Sequence, residues 1–146
     1  MKVLAIASVG GHWIQLLRLR EAFSGCDVEF MSTKESFASM VPNHVFHTIP
    51  DSNRWNKLLL LKSFFDIYKR ISKIKPDVIV TTGAAPGLMG ILAGRILGIK
   101  TVWVDSIANA EQVSLSGRIA IKFASRVYTQ WPELATKKVM YKGNVL

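Results

Sequence analysis

Three short segments hold residue types that can bind or activate a ligand oxygen. They are Ser8-Val9-Gly10-Gly11-His12, Thr82-Gly83-Ala84-Ala85-Pro86-Gly87, and Asp105-Ser106 leading on to Glu111-Gln112. The first two put small residues where a strand turns into a helix, so backbone N–H groups at a helix N-terminus can approach an anion closely. A phosphate or diphosphate fits that environment. Glycines at such turns can equally serve the turn alone, and two loops expected side by side favour the binding reading. Ser8, Gly10, Gly11, Gly83, Ala84, Ala85, Pro86 and Gly87 are therefore the candidate anion-binding positions.

His12 heads the expected helix after the first loop. A neutral imidazole there can take a proton from an acceptor hydroxyl as a general base, or the ring can simply cap the turn or orient a ligand. Asp105 and Ser106 end a strand, where polar residues tend to face a ligand, and Glu111 lies in the same loop. Asp105 has a second reading, as a helix cap or a lysine partner. Trp131-Pro132-Glu133 follows another strand end and either lines the cleft or packs. His44 and His47 flank a short strand without a cluster around them and read as structural. Three histidines and the single cysteine, Cys26, suggest no metal site. The Gly-x-Gly-x-x-Gly fingerprint is absent, and no clean acidic residue follows the second strand, so a nicotinamide oxidoreductase is disfavoured. No cofactor is expected.

These loops need a scaffold, and the pattern supplies one. Short apolar runs alternate with longer helical patterns, which argues for βαβ units and a mostly parallel, Rossmann-like α/β sheet with helices on both faces. Strands are expected over Lys2 to Ser8, Asp27 to Ser32, Val45 to Ile49, Val78 to Thr82, Thr101 to Val104, Arg126 to Thr129 and Lys138 to Tyr141. Helices are expected over Trp13 to Phe23, Ser36 to Met40, Asn56 to Lys73, Pro86 to Leu97 with Gly98 as its cap, and Leu115 to Ala124. In such a sheet ligands bind outside the carboxyl ends of the strands, which is where the three loops fall.

At 146 residues the chain has room for one domain, 1–146, and its 49% hydrophobic content suits a packed core rather than disorder. One cysteine cannot form an internal disulfide, so a reducing, cytoplasmic setting is the default, with Cys26 a small buried hydrophobe near a strand start. No signal peptide is expected, and no run approaches the ~20 apolar residues of a membrane span.

The net charge of +9 asks for an anionic partner. Between Arg54 and Lys75 stand seven basic residues and one acid, Asp66, a net +6 of that +9. On a helix, Leu60, Phe64, Ile67, Ile71 and Ile74 form one face that packs on the sheet, while Lys62, Asp66, Lys69, Arg70 and Lys73 face away. Leu58, Leu59 and Phe65 fit neither face. Together with Arg54, Trp55, Lys57 and Lys62 they form an apolar patch ringed by cations, suited to an anionic membrane surface. A partner protein is the other reading of the patch. Nucleic acid is disfavoured, because no reading module and no interleaved aromatics accompany the charge.

Taken together, the Ser8–His12 turn with Gln15-Leu16-Leu17, the Thr82–Gly87 loop, Asp105-Ser106, Tyr128-x-Gln130-Trp131-Pro132-Glu133 and Tyr141-x-Gly143 resemble the Alg-fourteen family and its bacterial exopolysaccharide relatives of the PssD type. The resemblance covers nearly the whole chain, and the Gln-Trp-Pro-Glu segment is its most specific part. It implies the N-terminal, acceptor-side half of a GT-B glycosyltransferase, made as a separate polypeptide and inactive without its partner. It implies a separate donor-binding glycosyltransferase subunit, a UDP-sugar donor, and a lipid-linked, polyprenyl-diphosphate acceptor in polysaccharide or oligosaccharide biosynthesis. By matching motif, Gly10, Gly11, His12, Gly83 to Gly87, Asp105, Ser106 and Glu111 would face the acceptor and the domain cleft. The chain starts at its first strand, without the anchor of eukaryotic members, and ends near where a fused enzyme would enter its second domain. The expectation is peripheral attachment to the cytoplasmic face of the membrane. The competing expectations are a non-catalytic scaffold that recruits and activates a partner glycosyltransferase, and a self-sufficient nucleotide-binding enzyme.

Overall fold

The computed structural model describes residues 1–51 and 55–145. Arg54, assigned above to the membrane patch, lies outside the described residues. Seven strands form one sheet: β1 (Lys2–Ile6), β2 (Asp27–Ser32), β3 (Val45–Thr48), β4 (Val78–Thr81), β5 (Lys100–Val104), β6 (Arg126–Thr129) and β7 (Met140–Tyr141). Their spatial order is β3-β2-β1-β4-β5-β6-β7, and every neighbouring pair is parallel. This is the expected Rossmann-like α/β class.

Among the described residues four α-helices lie between strands: α1 (Gly11–Arg18), α2 (Lys57–Ile74), α3 (Ala84–Ile96) and α4 (Leu115–Phe123). Period-two alternation in β1 sends Val3 and Ala5 to one face, against Trp13 and Leu16 of α1. Leu4 and Ile6 go to the other, against Ile67 and Ile71 of α2 and Met89 and Ala93 of α3. The expected stripe on α2 does pack there: Ile67 and Ile71 are buried, with Leu60, Phe64 and Ile74 beside them. Burying each such isoleucine contributes about 1.5–3 kcal/mol. The third cluster, around Ile91, Trp103, Ala120 and Val127, seats α3 and α4 on β5 and β6. α3 rides unusually close to the sheet: a methyl on Gly90 would stand 2.5 Å from Ile6 Cδ1, and one on Gly94 2.6 Å from Thr101 Cγ2.

Several boundaries differ from the sequence reading. The helix expected over Trp13 to Phe23 ends at Arg18, because the Leu19 N–H bonds back to Leu16 and tightens the chain into a 3-10 turn over Arg20–Phe23. The Glu35–Met40 segment is likewise a 3-10 helix. α3 opens at Ala84, two residues before Pro86, which falls in the first turn where its missing N–H costs no helical bond. Cys26 is half-buried rather than in the core. His44 and His47 are tied structurally, His44 to the Val28 carbonyl and His47 to Glu29. Burial pushes the Glu29 carboxyl up, but hydrogen bonds from Lys2 Nζ and His47 Nε2 outweigh it and hold the group below its ordinary value.

Candidate functional site

β1 is the point where strand order reverses, since β2 and β3 lie to one side of it and β4 to β7 to the other. A cleft of about 830 Å³ opens at that point, beyond the carboxyl ends of β1, β4 and β5. Its polar floor includes Ser8, His12, Ser106, Asn109 and Ser114, and its outer walls are Leu60 and Phe64 of α2, Leu88 and Leu92 of α3, and Leu115 and Ile119 of α4.

His12 is held by reciprocal bonds to Thr82. Its Nδ1 lies 2.9 Å from the Thr82 carbonyl, and the Thr82 hydroxyl donates to the His12 carbonyl at 2.6 Å. A carbonyl can only accept, so Nδ1 carries the proton and Nε2 is the basic nitrogen of the neutral ring. Gly83 makes room for this ring. Its φ of 127° and ψ of −164° fall in a region restricted to glycine, and a methyl there would stand 3.0 Å from His12 Cε1 and Nδ1. Ala84, which follows, is held at φ 63°, a strained value for alanine at the cleft edge.

The structure brings Ser8, His12, Ala84, Ala85, Pro86 and Ser106 together along the cleft. Gly10 and Gly11 form an exposed turn at the head of α1, with neither capped by a side chain. Gly83 is buried beneath His12, and Gly87 is buried against the Thr81 hydroxyl. Asp105 is 2% exposed and accepts from Trp103 Nε1, Asn109 Nδ2, and the backbone N–H and hydroxyl of Ser114. Its carboxylate secures the loop into α4 by holding Ser114, the residue that caps that helix, so it serves neither as the cap itself nor as a lysine partner. Glu111 is exposed and outside the cleft lining. Trp131 donates to the Ile107 carbonyl and so packs the same loop.

The sequence reading named Thr82 and Gln15 only as parts of motifs, with no role of their own, and passed over Asn109 and Ser114; the side chains of all four bond across loops. It also passed over Leu61 and the exposed apolar residues of α4. Leu58, Leu61 and Phe65 of α2 stand 79%, 54% and 51% exposed, and Trp55, Lys57, Leu59 and Lys62 are exposed beside them. On α4, Leu115, Ile119 and Phe123, spaced i, i+4, i+8, are exposed as well, and Phe123 shares a shallow hollow with Phe64 of α2 and Ile96 of α3. The α4 periodicity was readable; that it joins α2's patch needed the packing. Among the described residues no group of side chains could hold a metal ion, and no helix is long and apolar enough to cross a membrane.

Residues 47–145 match the family described as "Oligosaccharide biosynthesis protein Alg14 like". The human UDP-N-acetylglucosamine transferase subunit ALG14 is 28% identical over 180 aligned positions, covering 100% of this chain and 83% of its own. The Schizosaccharomyces pombe subunit of the same name is 46% identical over 70 positions, 42% of this chain and 32% of its own. Among solved structures, Acinetobacter baumannii MurG superposes with a TM-score of 0.80 at 19% identity, covering 98% of this chain. UDP-GlcNAc 2-epimerase from Methanocaldococcus jannaschii gives 0.72, also at 19%, covering 99%. This chain spans 46% of each of those two, and the fold it shares with them is the Rossmann-like N-terminal half of a GT-B protein. With the match running from β3 through the loops after β4 and β5 to the last strand, the chain belongs to the Alg14-like oligosaccharide biosynthesis family.

Proposed function

We propose that this chain is the acceptor-side subunit of a two-part glycosyltransferase, which with a separate donor-binding subunit moves a sugar from a UDP-sugar to a polyprenyl-diphosphate-linked acceptor at the membrane. UDP-N-acetylglucosamine is the donor suggested by the names of the ALG14 relatives. The observation that carries the reading is the cleft itself: a floor of hydroxyls and an imidazole, walled by apolar side chains, beside an apolar surface that carries cations. An amphipathic lipid with a polar, hydroxyl-bearing head matches that gradient.

In this mechanism the Ala84-Ala85 turn at the head of α3, with Ser8 and Ser106, holds the acceptor's diphosphate. His12 Nε2 removes the proton from the acceptor hydroxyl as its oxygen bonds to the donor's anomeric carbon. The bond from that carbon to the nucleotide diphosphate breaks, and UDP leaves with the electron pair on the partner's side. Trp55, Lys57, Leu58, Leu59, Lys62 and Phe65, extended by the α4 stripe, rest peripherally on an anionic membrane, taken to be the cytoplasmic face.

The test is transfer from radiolabelled UDP-sugars to a membrane lipid extract, by this chain alone and co-expressed with its genomic neighbour. Activity only in the pair, lost by a factor of ~10²–10⁴ in His12→Ala, is the expected result. Activity of the chain alone overturns the half-enzyme reading. An assembled His12→Ala pair at nearly the wild-type rate overturns the catalytic role and favours a recruiting scaffold.

A further inference from the structure

The cleft floor contains a hydroxyl whose direction its neighbours dictate. The Ile107 N–H can only donate, and it meets Gln15 Oε1 at 3.0 Å. The Val145 N–H donates to Gln130 Oε1 at 2.9 Å. These two backbone amides settle which end of each side-chain amide is oxygen. Gln130 Nε2 then donates to Gln15 Oε1 at 2.7 Å and to the Asp105 carbonyl at 3.0 Å. Gln15 Nε2 is left to donate to Ser106 Oγ at 3.0 Å, and that same oxygen accepts the Ala108 N–H at 3.2 Å. A hydroxyl oxygen has two acceptor lone pairs and one hydrogen. Both lone pairs of Ser106 are engaged, and no bond donated by its hydroxyl is found among the described residues. Yet the side chain is 8% exposed and lines the cleft.

We infer that Ser106 presents its O–H as an obligatory donor to an oxygen of the bound ligand, and that Gln15 is the positioning residue that imposes this polarity. The inference builds on the acceptor reading of the cleft and narrows it. The atom opposite Ser106 is one that accepts, such as a diphosphate oxygen, and a ligand placing a donor there is rejected because Ser106 cannot turn to receive it. The relay also explains why Gln15 and Gln130, 115 residues apart, are both buried amides. At position 15 a thioether would fill the space without fixing the hydrogen, and a carboxylate would turn it away from the cleft.

The test is calorimetric titration of the full chain with geranyl diphosphate, a water-soluble prenyl diphosphate. Ser106→Ala is expected to bind at least about tenfold more weakly, the loss of one hydrogen bond to a charged oxygen. Gln15→Glu keeps the shape and both acceptor contacts, but the new carboxylate attracts the Ser106 hydrogen away from the cleft, so a comparable loss is expected. Charge repulsion would give a loss too, and the double variant separates the causes. If Gln15 acts through Ser106, adding Gln15→Glu to Ser106→Ala costs little more. Unchanged affinity in Ser106→Ala, or full additivity in the double variant, overturns the inference. If the wild-type chain ignores geranyl diphosphate, the acceptor reading of the cleft fails. Neutron diffraction from perdeuterated crystals then decides the hydroxyl separately: a Ser106 deuteron aimed into the cleft supports the inference, and one aimed at Gln15 overturns it.

Discussion

Replacing Gly83 by alanine perturbs the site in two ways that can be measured apart. The backbone at this position (φ 127°, ψ −164°) is one that alanine reaches only at a cost on the order of 1–3 kcal/mol. The added methyl also meets His12 Cε1 and Nδ1 at 3.0 Å and Trp103 Cζ2 at 3.7 Å. Trp103 is fully buried, so the imidazole must yield, and doing so loosens its 2.9 Å bond to the Thr82 carbonyl. A weakened hydrogen bond adds about 1 kcal/mol. The sum is roughly 2–4 kcal/mol, or a fall of about 5–15 °C in the melting temperature of a chain this size. Circular-dichroism melts of Gly83→Ala and Gly98→Ala form the assay. Gly98 also has a positive φ, 71°, but open space around its Cα, so it reports backbone cost alone. Transfer by the partner-supplemented enzyme, run well below both melting points, should fall in Gly83→Ala and hold in Gly98→Ala. A Gly83→Ala melt within about a degree of wild type refutes the backbone argument. A loss no larger than that of Gly98→Ala refutes the steric one.

Other perturbations follow from the same structure. Glu29 is held below its ordinary value of 4.5, so its contribution is present above that pH and lost as pH falls through the folded-state value; Glu29→Gln should lower the melting temperature at pH 7 and flatten its decline below pH 4.5. Asp105→Asn turns part of a four-bond acceptor into a donor facing donors, and should cost about 2–4 kcal/mol in denaturant unfolding. Leu58→Asp with Phe65→Asp should abolish sedimentation with phosphatidylserine vesicles while moving stability by no more than about 0.5 kcal/mol each, since both side chains are already exposed. Binding unchanged in that double variant would remove the membrane role of α2.

Strands were legible where β-branched and aromatic runs stand between turn residues, and Asp27–Ser32 and Arg126–Thr129 fall at their expected bounds. The helix after β1 was overextended because Leu19 and Arg20 suit a helix; only the bond from Leu19 to Leu16 marks the break, and no residue type announces it. Among site residues, glycine-rich turns after strands are visible because strand-to-helix geometry follows from local pattern. Asp105 was harder. An acid at a strand end is the same letter whether it meets a ligand or Ser114, and the choice depends on Trp103 and a helix start nine residues away. Gln15 carries no local signal at all, since its partners are at positions 106, 107 and 130.

The interior position of β1 has a consequence for how the chain is made. Val3 pairs with Val28 on one side and with Val78 on the other. During synthesis the first partner emerges early, while the second follows only after 47 further residues, counted from Met31 to Val78. At about 5–20 residues per second that is roughly 2–10 s on the ribosome. Through that interval Val3–Ile6, all but sealed from water in the finished protein, stands as an unpaired apolar edge, open to any other nascent chain that offers a strand. This well-protected strand of the mature fold gains its second partner later than β2 does, and translation speed across α2 sets how long it waits.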